Sequence, residues 1–205
     1  MKTVIVLGNI TNINIDDLAN SYLIGVEMGA IKLINLGYEP DLAIGDFDSC
    51  SSNDIDIIKK NSKNIIILNP IKDKTDTEEA ILKALDINDI LILGGIKGKR
   101  IEHFYANLML IEKYPNIIMK DDYSKIYIKD KSFQTTNLYK YISLFPIDDE
   151  AIISIKRMKY NLDNYKLKKN IPTLGISNES SIDGYVDIIE GKLLVIESKE
   201  DHEKL

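Results

Sequence analysis

The chain has 205 residues, 44% of them hydrophobic and 28% charged, with a formal net charge of −6 at pH 7. That length can bury a real core in one large domain or two small ones, and the acidic balance gives no general attraction for nucleic acid or anionic membrane. The single Cys50 excludes an internal disulfide, no Cys/His spacing suits zinc, and there is neither a signal-like leader nor an apolar run of about 18 residues, so a soluble cytoplasmic protein is expected.

Over the first 120 or so residues, short apolar runs alternate with amphipathic ones. Val4 to Leu7, Tyr22 to Val26, Leu42 to Ile44, Ile65 to Leu68, Ile90 to Leu93 and Ile117 to Met119 read as buried strands. Between them, Gly29 to Leu36, Asp54 to Lys60, Thr77 to Leu85 and Glu102 to Tyr114 read as helices. Buried strands alternating with helices predict a Rossmann-like α/β fold, a parallel sheet with helices on both faces. After residue 123 the pattern changes. Ser124 to Lys129, Ser132 to Thr136, Lys140 to Phe145, Ala151 to Ile155, Tyr185 to Ile189 and Lys192 to Glu197 are short, β-branched or aromatic and separated by turns. They predict an antiparallel sandwich or barrel, with the boundary between 1–122 and 123–205.

The stretch Asp41-Leu-Ala-Ile-Gly-Asp-Phe-Asp-Ser49 carries the sharpest chemical signal. In an extended segment a spacing of two puts Asp46 and Asp48 on one face. Two carboxylates about 4 Å apart repel by roughly 1 kcal/mol even in water, so deliberate pairing points to a divalent cation. Oxygen ligands at a strand end suit Mg²⁺, which substrate phosphates commonly help to coordinate.

Four polar clusters share the expected carboxyl edge of the sheet, where open α/β folds bind ligands. They are Glu27-Met-Gly-Ala30, Gly45 to Ser49, Asp73-Lys-Thr-Asp76, and Gly95 to His103. Asp46, Asp48, Asp73 and Asp76 form an acidic lobe, and Lys72, Lys74, Lys97, Lys99 and Arg100 a basic one opposite. With a cation on the acids, such a site clamps transferring phosphoryl groups, and Gly95 and Gly98 let backbone amides approach phosphate oxygens. Each cluster alone also has a plainer reading. An Asp pair beside a turn is often just solvated, Asp73 to Asp76 suits a helix cap, and paired glycines suit any loop. Cys50 has no activating neighbour and reads as structural.

In order, these clusters resemble the thiamine pyrophosphokinase family over nearly the whole chain. The family pattern runs Asp-Gly-Gly-Ala, Pro-Asp, Gly-Asp-Phe-Asp-Ser, Asp-x-Thr-Asp, then Gly-x-x-Gly-x-Arg-x-Asp-His with Asn four residues on. Its counterparts here are Glu27 to Ala30, Pro40-Asp41, Gly45 to Ser49, Asp73 to Asp76, and Gly95 to His103 with Asn107. Met158-Lys-Tyr-Asn-Leu162, Gly175-Ile-Ser-Asn-Glu179 and Gly191 to Ile196 continue the likeness.

The resemblance implies a nucleotide-binding catalytic α/β domain (1–122), then a β-sandwich (123–205) for thiamine binding and dimerisation. It also implies a homodimer with its active site in the cleft between subunits. The reaction implied moves the pyrophosphoryl group of ATP to the thiamine hydroxyl, giving thiamine diphosphate and AMP. Carried over by position, Asp46, Asp48 and Asp76 would hold Mg²⁺ with Asp73 beside it, and Arg100 and His103 would contact phosphates. Glu27, Gly29, Ala30, Lys74, Thr75, Gly95, Gly98, Lys99 and Asn107 would surround the nucleotide, with Ser177 and Asn178 near thiamine.

Three positions depart from the family pattern: Glu27 and Glu102 each stand for Asp, and Met28 stands for a glycine. Met28 predicts hindered approach of a ligand to the backbone. The rival readings are a pyrophosphokinase for another hydroxymethyl heterocycle such as a pterin, and a non-catalytic nucleotide- or thiamine-sensing module.

Overall fold

Consecutive rather than alternating apolar residues mark the strands of the first unit, and the computed structural model shows why: Val4, Ile5 and Val6 are all inaccessible, so both faces of their strand are covered. The structure describes residues 2–85, 89–98, 100–171 and 175–200. It falls into two units, Met1–Leu110 with Asn116–Asp122, and Ile111–Pro115 with Tyr123–Leu205.

In the first unit β1 (Lys2–Leu7), β2 (Ser21–Val26), β3 (Leu42–Gly45), β4 (Ile65–Ile67), β5 (Ile90–Leu93) and β6 (Ile117–Lys120) lie in the order β6-β5-β1-β2-β3-β4. Every neighbouring pair among them is parallel. The helices are α1 (Ile15–Leu18), α2 (Met28–Asn35), α3 (Ser52–Asn61), α4 (Asp76–Ala84) and α5 (Ile101–Lys113). Their starts are written in local chemistry. Ser51 and Asp54 exchange the reciprocal hydrogen bonds of a capping box at α3, and the Thr75 side chain accepts the Glu78 N–H at α4. Leu33 of α2 packs with Val4, Val6 and Leu23, while Ala30 and Ile31 pack with Ala43, Phe47 and Ile58.

The contact of α2 with the sheet is very close. A Cβ on Gly29 would lie 1.9 Å from the Val6 carbonyl oxygen, so only glycine lets the first turn of the helix rest on β1.

The second unit contains two antiparallel sheets. One has the order β12-β9-β14-β7, built from β7 (Ser124–Lys129), β9 (Tyr141–Pro146), β12 (Asn178–Glu179) and β14 (Leu193–Ser198). The other has the order β11-β10-β13-β8, built from β8 (Phe133–Gln134), β10 (Glu150–Lys156), β11 (Leu162–Lys168) and β13 (Tyr185–Glu190). Ile142, Leu144, Leu193 and Val195 of the first sheet share one core with Ile153, Ile155, Leu167 and Val186 of the second. The fold is therefore a sandwich rather than a barrel.

Gly29→Ala is expected to destabilise the first unit by about 1–3 kcal/mol through overpacking, read as a drop of several degrees in thermal midpoint. An unchanged midpoint would show that α2 can lift from β1 at little cost.

Candidate active site

The chain leaves β1 in one direction through β2, β3 and β4, then returns to the other side of β1 for β5 and β6. A crevice at the carboxyl end of β1 follows from that reversal. A cleft of about 360 Å³ opens there, lined from β1 and β2 by Asn9 and Glu27, from β3 by Asp46 and Asp48, and by Lys72, Thr75 and Asp76 before and at the start of α4. Gly95, Arg100, His103 and Asn107 complete its wall. A recess of about 260 Å³ shares Asn9, Gly95, Arg100 and His103 and adds Lys97 and Gly98.

The acidic side differs in detail from the sequence reading. β3 ends at Gly45, and Phe47 turns the backbone with φ +59°, so Asp46 and Asp48 are not paired on an extended face. Instead the Asp48 N–H donates to Asp46 Oδ1 at 3.2 Å, a short loop closure that leaves Asp48 exposed at the cleft. The carboxylates that converge are Glu27, Asp46 and Asp76, with one ligand atom of each within 4.8 Å of the others. Asp73 is exposed and does not line the cleft.

Lys72 is placed differently from its expected position in the opposing basic lobe. Its ammonium sits among the acids, 3.1 Å from Asp46 Oδ2 and 2.9 Å from Asp76 Oδ1, with side-chain exposures of only 17%, 12% and 24% for the three residues. Burial works to raise the Asp46 carboxyl, but the Asp48 N–H and the Lys72 ammonium outweigh it and hold it below the ordinary range. Lys72 is held above its usual value, its burial outweighed by Asp76 and Asp46. Glu27 is raised, chiefly by burial, despite the donors from Phe47 and Ser49. A positive group is thus already where a cation would be attracted. Asp76 Oδ1 is inaccessible to solvent and has the displaceable Lys72 ammonium as its partner. Hard carboxylate oxygens that converge in this way fit a divalent ion.

The opposite wall is shaped by amides. The Gly95 N–H donates to Asn9 Oδ1 at 2.8 Å, and Asn107 Nδ2 donates to the Gly95 carbonyl at 3.0 Å, with Asn107 5% exposed. Asn9 Nδ2 also donates to the Lys97 carbonyl. Asn9 escaped the sequence reading; its signal is its place just after the strand at which the sheet order reverses. Arg100 lines the cleft while pairing with Glu102 at 2.8 Å, and exposed His103 lies beside it. Lys99 lies outside the described residues.

Gly29 and Ala30 are on the buried face of α2 and do not line the cleft. Lys74 points to Glu79 at 3.8 Å. Met28, expected to obstruct a ligand, packs against the apolar cluster of Ala30, Ile31 and Phe47, its sulfur 3.5 Å from Cys50 Sγ, and it is absent from the cleft wall. Burial pushes the Cys50 thiol up, in keeping with a structural role. In the second unit Asn178 is 6% exposed and occupied, accepting the Tyr160 N–H at 3.0 Å and donating to the Tyr160 carbonyl at 2.7 Å. Ser177 has φ +55°, with its N–H on Ser143 Oγ.

Replacing Lys72 by Met strips Asp46 and Asp76 of their counter-charge. In EDTA this variant is expected to lose about 1–3 kcal/mol of stability, and added Mg²⁺ is expected to raise its thermal midpoint more than it raises that of the parent. Equal responses to Mg²⁺ would place the cation elsewhere.

Known proteins resemble the chain along its length. A family model described as thiamin pyrophosphokinase, catalytic domain, matches residues 18–126, and one described as thiamin pyrophosphokinase, vitamin B1 binding domain, matches 126–190. A thiamine pyrophosphokinase of Bacillus subtilis (strain 168) is 30% identical over 194 residues, covering 87% of this chain and 90% of that protein. The crystal structure of thiamine pyrophosphokinase from Bacillus subtilis superposes with a TM-score of 0.85 at 26% identity, covering 98% of this chain and all of that one. A thiamin pyrophosphokinase family protein from Enterococcus faecalis gives a TM-score of 0.85 at 25% identity over 98% of this chain and 100% of its own.

Proposed function

Since the chain belongs to the thiamine pyrophosphokinase family, we propose that its first unit binds Mg²⁺-ATP in the cleft at β1 and transfers the pyrophosphoryl group to the hydroxyl of thiamine. The products are thiamine diphosphate and AMP. The observation that carries this reading is the opposition of two walls in one cleft, the carboxylates of Glu27, Asp46 and Asp76 facing the amide-held Gly95 loop.

Attack of an alcohol on phosphorus needs little covalent help; positioning and charge neutralisation supply most of the barrier reduction. Asp46 and Asp76 would hold the metal, with Asp48 lining the same cleft beside them. A bound Mg²⁺ supplies Lewis-acid neutralisation of phosphate charge. Arg100 and His103 reach the same cleft and would bind phosphate oxygens, and the Gly95 to Gly98 backbone would lie along the chain of phosphates. Lys72 is then free to exchange its carboxylates for phosphate. An aspartate of the cleft would accept the proton of the thiamine hydroxyl.

For the second unit we read thiamine contact near Ser177, with Asn178 fixing the Tyr160 backbone. The family likeness also supports a homodimer, and sedimentation equilibrium would test it. ATP as co-substrate supports a cytoplasmic setting, and no helix among the described residues is long and apolar enough to cross a membrane.

The test is incubation of purified protein with ATP, Mg²⁺ and thiamine, following products by chromatography. AMP and thiamine diphosphate are expected in equal amounts, and Asp46→Asn is expected to lower turnover by about 10²–10³-fold. Absence of both products while Mg²⁺-ATP still binds would overturn thiamine as the acceptor and turn attention to other hydroxymethyl heterocycles.

A further inference from the structure

Glu27 stands in a costly position. Its backbone has φ +53° and ψ −128°, a conformation that L-residues avoid, and its carboxylate lies close to two others. Like charges repel, so something at this position must offset both penalties. The contacts identify it. Oε1 accepts the Phe47 N–H at 2.6 Å, and Oε2 accepts the Ser49 hydroxyl at 2.8 Å. Gly45 lies against the same group, since a Cβ there would be 2.0 Å from Oε1. The carboxylate therefore touches residues 45, 47 and 49, and Asp46 and Asp48 are the residues between them.

We propose that Glu27 is a positioning residue, a brace that fixes the Gly45–Ser49 loop so that Asp46 faces Asp76, and that it is not itself a metal ligand. The inference rests on the reading of the cleft as a metal-nucleotide site. Both Glu27 oxygens are engaged by neutral donors of the 45–49 loop, whereas Asp46 Oδ2 and Asp76 Oδ1 face the Lys72 ammonium, a charge that a metal ion can replace. The longer side chain that replaces the family's usual aspartate also has a structural meaning. It provides the reach from the end of β2 across to Phe47 and Ser49.

Reach and charge are separable by substitution. Glu27→Gln keeps the length and an oxygen for the Phe47 N–H, and its amide donates to Ser49 Oγ instead of accepting from it. Glu27→Asp keeps the charge and loses a methylene. A ligand depends on charge; a brace depends on reach. Mn²⁺ binding in the presence of ATP, without thiamine, is followed by electron paramagnetic resonance, together with hydrogen exchange of the Phe47 amide. Glu27→Asp is expected to bind Mn²⁺ about tenfold more weakly than Glu27→Gln and to lose protection at Phe47 that Glu27→Gln retains. Ser49→Ala, an exposed change that removes one donor to Glu27 and no carboxylate, is expected to weaken Mn²⁺ binding and to be non-additive with Glu27→Asp.

The reverse order, with Glu27→Asp near wild type and Glu27→Gln the weaker binder, or a Ser49→Ala variant indistinguishable from wild type, would overturn the brace while leaving the nucleotide site intact. A wild-type chain that binds no Mn²⁺ with ATP would overturn the site reading, and the inference with it.

Discussion

Three carboxylates whose oxygens converge within 4.8 Å set the terms for the rest of the first unit. Water would ordinarily solvate and separate such charges; here they are partly withdrawn from it. Each is stabilised by a different device. Asp46 takes a backbone N–H and the Lys72 ammonium. Asp76 is the first residue of α4, where the positive end of the helix dipole favours an acid, and shares the same ammonium. Glu27 spends its charge on a neighbouring loop. The arrangement holds negative charge ready without letting it scatter.

The two walls of the cleft are built on opposite principles. One is a set of formal charges stabilised by other charges and donors. The other is a backbone loop shaped by the neutral amides Asn9 and Asn107. A polyphosphate with its cation matches that pairing. On the proposed reading the cation would meet the acids, and the phosphate oxygens would meet the loop, Arg100 and His103. The glycine contact that seats α2 on β1 matters here because Glu27 is the residue just before α2.

Much of this was legible in the sequence, for physical reasons that differ by element. Strands buried on both faces announce themselves as unbroken apolar runs, as in β1, β3 and β5. β4 and β6 carry similar runs but expose Ile67 and Ile118, so the α/β order could be read but not the burial of every strand. β11 could not, because only Leu167 of its seven residues is buried and its sequence carries no alternation. β12 is two residues long, and α1 four, too short for any period to emerge. The site motifs were visible as residue types but not as geometry. The positive φ at Phe47 breaks the spacing argument for Asp46 and Asp48, and nothing in composition tells that Lys72 folds back among the acids. Met28 illustrates the converse: a substitution that looks obstructive in one dimension leaves the cleft wall clear, because the side chain joins the apolar cluster of Ala30, Ile31 and Phe47.

The double amide hold on Gly95 has a further consequence. Neither asparagine titrates, and neither bond depends on ionic strength in the way a charge pair does. The loop should therefore keep one shape across acidity and salt conditions that strongly alter the carboxylate wall. Half of the cleft is a fixed template and half is tunable, so the environment would adjust how strongly the acids attract a cation without redrawing the outline of the opposite wall.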